Sequence, residues 1–213
     1  MKNLFLVLFI ASLTFTSCTT SEEIVTEPTE MNTSLLESFK INRNIDGSYA
    51  LTHEIRNDVA VDYSQSKTQN EVYLYRGDVS DKQSEMNYDV VDNTLIVAFI
   101  DENNSNIARI SILDDDTKNK SDELGLLNTY SLVYNNDGTV QVDFIVEEGV
   151  EVAFGFNSDE NINDIYLTEG DATQTNYSKN YSKEDNVDLH IDFVQEIGDK
   201  STEIRKPRVI FSD

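Results

Sequence analysis

Trp is absent from this 213-residue chain, Cys occurs once, Pro twice and His twice. A single cysteine, Cys18, excludes an intramolecular disulfide and every zinc site built on several thiolates. The two histidines, His53 and His190, form no ligand spacing with it. Without Trp, sugar recognition lacks its usual stacking platform. Cationic residues are scarce too: 16 Lys and Arg stand against 40 Asp and Glu, for a formal charge of −24. Such a chain has no footprint for a phosphate backbone, which excludes nucleic acid as a partner. Anionic lipid headgroups would repel it, while cations and basic partners would be attracted.

Long apolar runs are equally rare. The clearest, Leu4 to Phe15, follows the positive Lys2 and ends in the small pair Thr16-Ser17 before Cys18. It is too short to span a bilayer as a helix and has the form of a secretory signal. An ordinary signal cut near Ser17 would leave Cys18 as a free thiol, an oxidation hazard. Alkylation of that sulfur removes the hazard. Phe15-Thr16-Ser17-Cys18 resembles the lipobox of a bacterial lipoprotein signal, with Phe15 where the family usually has Leu, Val or Ile. The resemblance implies lipidation at Cys18 and attachment to the membrane through that lipid. Ser21-Glu22-Glu23, just behind it, resembles the export tract of surface lipoproteins in Bacteroidota. That likeness implies the outer membrane, with the cell surface favoured over the periplasmic face.

The expected organisation is a signal peptide over 1–17, a disordered tether over 18–35 and one all-β domain over 36–213. The tether is rich in Thr, Ser and Glu and too poor in apolar residues to pack. From Phe39 onward, short alternating segments separated by turn signals predict about ten to twelve strands in an antiparallel β-sandwich or barrel. Asp46-Gly47, Asp92-Asn93 and Asn136-Asp137-Gly138 each predict a tight hairpin turn. Val140, Val142, Phe144 and Val146 alternate with more polar residues, and Val150, Val152, Phe154 and Phe156 resume the pattern, predicting a second strand of one hairpin. Leu95 to Ile100 is apolar on both faces and predicts a central strand. Pro207 is expected at the start of a last strand, Val209–Phe211. Polar stretches at 114–123 and 168–186 are expected to be surface loops, and a division into two subdomains near the first is compatible with the pattern.

Candidate chemistry is sparse. Asp114-Asp115-Asp116 offers clustered oxygen ligands for Ca2+, and Asn42 to Gly47 is similar to the front half of a calcium loop. No other cofactor is implied. His53 and His190 are the general bases a hydrolase could use, yet no nucleophile motif accompanies either, so no catalytic residue is assigned and no enzyme is expected. Among the ten tyrosines, Tyr166, Tyr177 and Tyr181 sit in or beside the long polar stretch and are expected to form a contact surface for a protein or glycan. Arg76-Gly77-Asp78 resembles an integrin-recognition tripeptide in a turn. The function expected from all this is a non-catalytic binding or adhesion module of the cell envelope. The alternative is an accessory subunit docking by a sheet edge or face.

Overall fold

A computed structural model describes residues 34–44, 46–65, 69–77, 83–88, 90, 93–114, 125–197 and 202–213. Cys18, the signal segment, Asp78, Asp115 and Asp116 lie outside them. The described residues form fourteen strands and no helix, arranged as two packed sheets. The strands are β1 (Leu36–Arg43), β2 (Tyr49–Ile55), β3 (Val59–Gln65), β4 (Asn70–Arg76), β5 (Gln83–Tyr88), β6 (Thr94–Ile100) and β7 (Asn106–Leu113). After these come β8 (Leu127–Asn135), β9 (Thr139–Val146), β10 (Val150–Asn157), β11 (Ile162–Glu169), β12 (Asn176–Ser182), β13 (Leu189–Ile197) and β14 (Thr202–Ser212). A six-stranded sheet runs β12-β9-β8-β1-β2-β5, and an eight-stranded sheet runs β10-β11-β13-β14-β7-β6-β4-β3. The sheets stay open and do not close into a barrel. Their inward side chains merge into one apolar core, as the period-2 alternation of each strand requires.

Strand order reveals a duplication. Strands β1 to β7 visit the two sheets in the same sequence as β8 to β14, and the order within each sheet is symmetric about its middle. The halves meet through two antiparallel ladders, β1 with β8 and β7 with β14, in which exchange of the halves returns the pairs Ile41↔Leu132 and Ser111↔Ile210 onto themselves. Exchanging the halves maps each ladder onto itself, so the molecule has an internal pseudo-two-fold axis.

Local detail repeats with it. Asp46 Oδ1 accepts from the Ser48 amide at 3.0 Å and the Ser48 hydroxyl at 2.6 Å, while Asn44 Nδ2 donates to that hydroxyl at 2.9 Å. Asp137, Thr139 and Asn135 make the same three bonds at 2.9, 2.6 and 2.9 Å. Bulges fall at matching places, between Leu36 and Ser38 and between Leu127 and Thr129. Each repeat also joins two hairpins by one parallel pairing, β4 with β6 and β11 with β13. In those pairings Asn70 and Asn163 each donate from Nδ2 to a backbone carbonyl, of Ile96 and His190.

Neither repeat encloses a core by itself. Phe39 of the first stacks on its own Phe99 at 4.8 Å and on Tyr134 of the second at 5.1 Å, with Phe211 of the second at 6.3 Å. The repeats therefore share one interior, although their boundary falls between β7 and β8, where the composition suggested a division.

Several expectations change. Val140–Val146 and Val150–Phe156 are not one hairpin: β9 lies in the six-stranded sheet and β10 in the eight-stranded one, with the chain crossing between them at Glu147 to Gly149. Strands β5 and β6 likewise belong to different sheets on either side of Asn93, which holds a positive φ of 65°. Alternation identifies the buried face of a strand and says nothing of which neighbour it pairs with. Residues 168–186 hold strand β12, which polar outward residues disguised as loop. Pro207 lies inside β14, which begins at Thr202, at a register shift opposite Asp192 and Val194; a bulge tolerates the missing N–H as a strand start would. Leu95–Ile100 is central as expected, flanked by β7 and β4.

The duplicated turns make a graded prediction. Gly47 and Gly138 hold φ of +83° and +78°, but a Cβ on Gly47 meets nothing within 4 Å, whereas one on Gly138 falls 2.7 Å from the Lys183 carbonyl oxygen. Gly47→Ala should cost only the left-handed backbone strain, about 1 kcal/mol. Gly138→Ala should cost at least about twice that, because the carbonyl must move. Urea denaturation of both variants checks this, and equal losses would contradict it.

Candidate functional site

An antiparallel register places side chains from neighbouring strands in rows. Across the outer face of the six-stranded sheet, Asn42, Ser131, Asp143 and Ser178 fall in one row over β1, β8, β9 and β12. Thr129, Ile145 and Asn176 fall in the next. The intervening residues, among them Leu132, Val142 and Phe144, point into the core. Together the rows floor an open cleft of about 670 Å3, rimmed by Gln174 and the edge strand β12.

The lining is short and polar. Gln141 Nε2 donates to both Asp143 oxygens at 2.9 Å, fixing that carboxylate. Thr129 donates from Oγ1 to the Arg43 carbonyl at 2.6 Å. Gln174 Nε2 donates to the Asn176 carbonyl at 2.8 Å. Ile145, 40% exposed, is the one large apolar side chain displayed on this floor. Amides, hydroxyls and one carboxylate around an apolar ridge can recognise a ligand rich in hydroxyls.

The duplication explains why the cleft exists on one side only. The registers make Ser131, Ile145 and Ser178 of the second repeat equivalent to Lys40, Glu54 and Glu85 of the first. Long charged side chains occupy the first face where Ser, Ile and Ser leave space in the second.

Beneath the cleft lies a buried polar chain. Arg43 Nε meets Asp114 Oδ2 at 2.9 Å, and the Tyr49 hydroxyl donates to the same oxygen at 2.7 Å. Tyr130 lies 2.8 Å from that hydroxyl and donates to it, since the one Tyr49 proton is already given to the carboxylate. Burial opposes the charge on Arg43, but the attraction and hydrogen bond of Asp114, with Tyr49 and Tyr130 adding, together raise the guanidinium pKa. Burial likewise raises both tyrosine pKa values, so they stay protonated donors. Arg43 is the symmetry counterpart of Tyr134. That exchange introduces a cation at the repeat boundary, and Asp114 neutralises it.

Asp114 is buried, with Arg43 and the Tyr49 hydroxyl on one of its oxygens, while Asp115 and Asp116 lie outside the described residues. Among the described residues, no three His, Cys, Asp or Glu side chains gather as a metal site. Asp46 serves its hairpin turn. Arg76 sits near Glu102 at 3.8 Å on the surface.

The tyrosines separate. Tyr166 lies on β11 of the eight-stranded sheet, its ring over Gly155 and its hydroxyl donating to Asp164 at 2.9 Å. Tyr73 repeats that bond to Glu71 at 2.6 Å in the first repeat. Asp164 also takes Arg205 at 2.9 Å, and Arg208 reaches Asp192 at 3.1 Å. Tyr177 and Tyr181 share the inner side of edge strand β12. Tyr177 stacks on Phe144 at 5.4 Å, donates to the Gln174 carbonyl at 3.1 Å and lines the cleft. Tyr181 is half-buried, its hydroxyl unpartnered among the described residues and its pKa pushed up to about 12 by burial, with Asp164 adding to the shift.

Neither histidine joins the cleft. His53 is buried, with Nε2 at 3.3 Å from the Tyr63 hydroxyl and Nδ1 unpartnered. Its edge-on contacts to Tyr63 and Phe99 match those of its counterpart, Phe144, with Phe154 and Phe193. His190 lies on the outer face of the eight-stranded sheet. Among the described residues, neither imidazole is hydrogen-bonded to a carboxylate. No family model, curated protein or solved structure matches the chain.

Two measurements test these interior groups. Asp114→Ala leaves Arg43 buried without its partner and should cost about 3–5 kcal/mol. The double variant Arg43→Met/Asp114→Leu should cost less than Asp114→Ala alone. A loss under about 1 kcal/mol for the single variant, in urea denaturation, would mean the pair is solvated.

His53 supplies a pH signature. Desolvation lowers its pKa from 6.5 to about 4 in the folded chain, so below pH 6.5 the unfolded chain binds a proton that the folded chain refuses. This component of stability is fully present above pH 6.5 and is lost as the pH falls, by about 3 kcal/mol at pH 4. His53→Phe, which installs the residue found at Phe144, should remove that component. Parallel acid-titration curves for variant and wild type would contradict it.

Proposed function

We propose that this chain is a non-catalytic binding module of the cell envelope, anchored through a lipid on Cys18. It holds a neutral, hydroxyl-rich ligand of the oligosaccharide class in the cleft of the second repeat. One observation carries the assignment: the symmetric frame differs at the positions that make the cleft. Ser131, Ile145 and Ser178 open the face that Lys40, Glu54 and Glu85 occupy in the first repeat.

Charge and chemistry narrow the ligand. Asp143 and the net charge of −24 disfavour anions. Asn42, Ser131, Asn176 and Ser178 offer paired donors and acceptors suited to hydroxyls, and Ile145 gives a sugar ring an apolar face to rest on. Tyr177, stacked on Phe144, stiffens the edge from which the cleft is reached.

The test uses the mature protein against immobilised neutral oligosaccharides: β-glucans, xylans, mannans and neutral N-glycans. One class should bind with Kd of about 10–100 µM. Ser131→Lys/Ser178→Glu, which restores the first repeat's side chains, should abolish binding without unfolding the domain. Equal binding by that variant, or no binding by any class, would overturn the assignment. For the anchor, protease shaving of intact cells should digest the wild type, and Cys18→Ala should lose membrane association. A protected wild type would put the domain on the periplasmic side.

A further inference from the structure

The eight-stranded sheet ends at β10, whose outer ladder pairs with no strand among the described residues. Proteins guard such an edge with proline, lysine or a bulge. Strand β10 has none of these: it is Val-Glu-Val-Ala-Phe-Gly-Phe-Asn, and its register with β11 runs unbroken from Val150↔Glu169 to Asn157↔Ile162. Its counterpart β3, at the opposite end of the sheet, has Asp62 and Gln65 where β10 has Ala153 and Phe156. The one carboxylate of this edge has moved from the middle of the strand, Asp62, to its start, where Glu151 replaces Ala60, and the second repeat has gained an aromatic ring.

That ring is the most exposed large apolar side chain among the described residues, at 60%, and Phe154 beside it is 42% exposed. Phe154 is held by an edge-on contact with Phe144 and by the Lys179 ammonium 5.1 Å from its centroid. Carboxylates bracket the strand, Glu147, Glu148 and Glu151 at its start and Asp159 and Glu160 in the turn beyond its end.

We infer that the β10 edge accepts an extended cationic segment of another protein as a ninth strand. Ladder hydrogen bonds supply the affinity, alternate apolar side chains pack on Phe154 and Phe156, and Lys or Arg near each end meet the bracketing carboxylates. The eight residues of β10 span about 26 Å at about 3.3 Å per residue, which sets the segment at eight to ten residues. The same electrostatics disfavour two other occupants. A second copy brings another −24, and the chain's own segment 19–33 carries four glutamates and no basic residue.

The test uses the full chain in detergent and a capped ten-residue peptide with Lys-Arg at each end and alternating Val and Thr between. Hydrogen exchange should slow at 150–157 on adding the peptide, with Kd of about 100 µM or tighter that weakens as salt rises. N-methylation of alternate peptide amides on the ladder side should abolish binding, and Glu at both ends should weaken it at least tenfold. Phe156→Lys, at an exposed position that folding does not need, should do the same; Ala153→Lys is a second such variant. No binding, protection away from β10, or equal binding by the methylated peptide would overturn the proposal. Protection of β10 by self-association without peptide would also overturn it, by making a second copy the occupant.

Discussion

A core shared across the pseudo-two-fold axis is the constraint on which the rest of the structure depends. Each repeat contributes three strands to one sheet and four to the other, too few to bury both faces of its own interior. Phe39, between Phe99 of its own repeat and Tyr134 and Phe211 of the next, is buried only when the halves are together. The ladders through Ile41 and Leu132 and through Ser111 and Ile210 fix the angle between them. The chain Arg43–Asp114–Tyr49–Tyr130 crosses that seam, so polar geometry adds to apolar packing in specifying a single arrangement.

A symmetric frame makes its asymmetries informative. Most interior positions keep their character across the repeats, as Leu95, Val97 and Phe99 match Leu189, Ile191 and Phe193, all buried, while Arg43 for Tyr134 and His53 for Phe144 are exceptions. Outer positions diverge, because solvent tolerates almost any side chain there. The three places where divergence changes shape or chemistry most are the cleft floor, the β10 edge and the Arg43 exchange. Two of them lie on the surface, and the third sets a buried ion pair at the strand ends under the cleft.

Much of the fold is legible in the sequence because alternation reports burial directly. Strands β1, β2, β6, β8 and β9 and the turns at Asp46-Gly47 and Asp137-Gly138 follow from period and turn chemistry. Sheet membership does not, since β9 and β10 alternate identically and yet lie in opposite sheets. Strand β12 is hidden because its outward residues, Asn176, Ser178 and Asn180, are those of a loop. The cleft is illegible for a related reason: Ser131 and Ser178 are unremarkable until register aligns them. The duplication does leave a trace, Leu35-Leu36 with Asn44-x-Asp46-Gly47-Ser48 recurring as Leu126-Leu127 with Asn135-x-Asp137-Gly138-Thr139. Comparing the chain with itself at that spacing exposes it, and with it the equivalence that singles out the cleft.

The central claim is that ligand recognition resides on the outer face of the second repeat's sheet. Amide NMR of the labelled protein, titrated with a pool of neutral oligosaccharides, tests it most directly. The account predicts shifts concentrated at Asn42, Ser131, Asp143, Ile145 and Ser178, with the symmetry-related amides of Lys40, Glu54 and Glu85 unmoved. Shifts of equal size on both repeats, or none on this face, would contradict it.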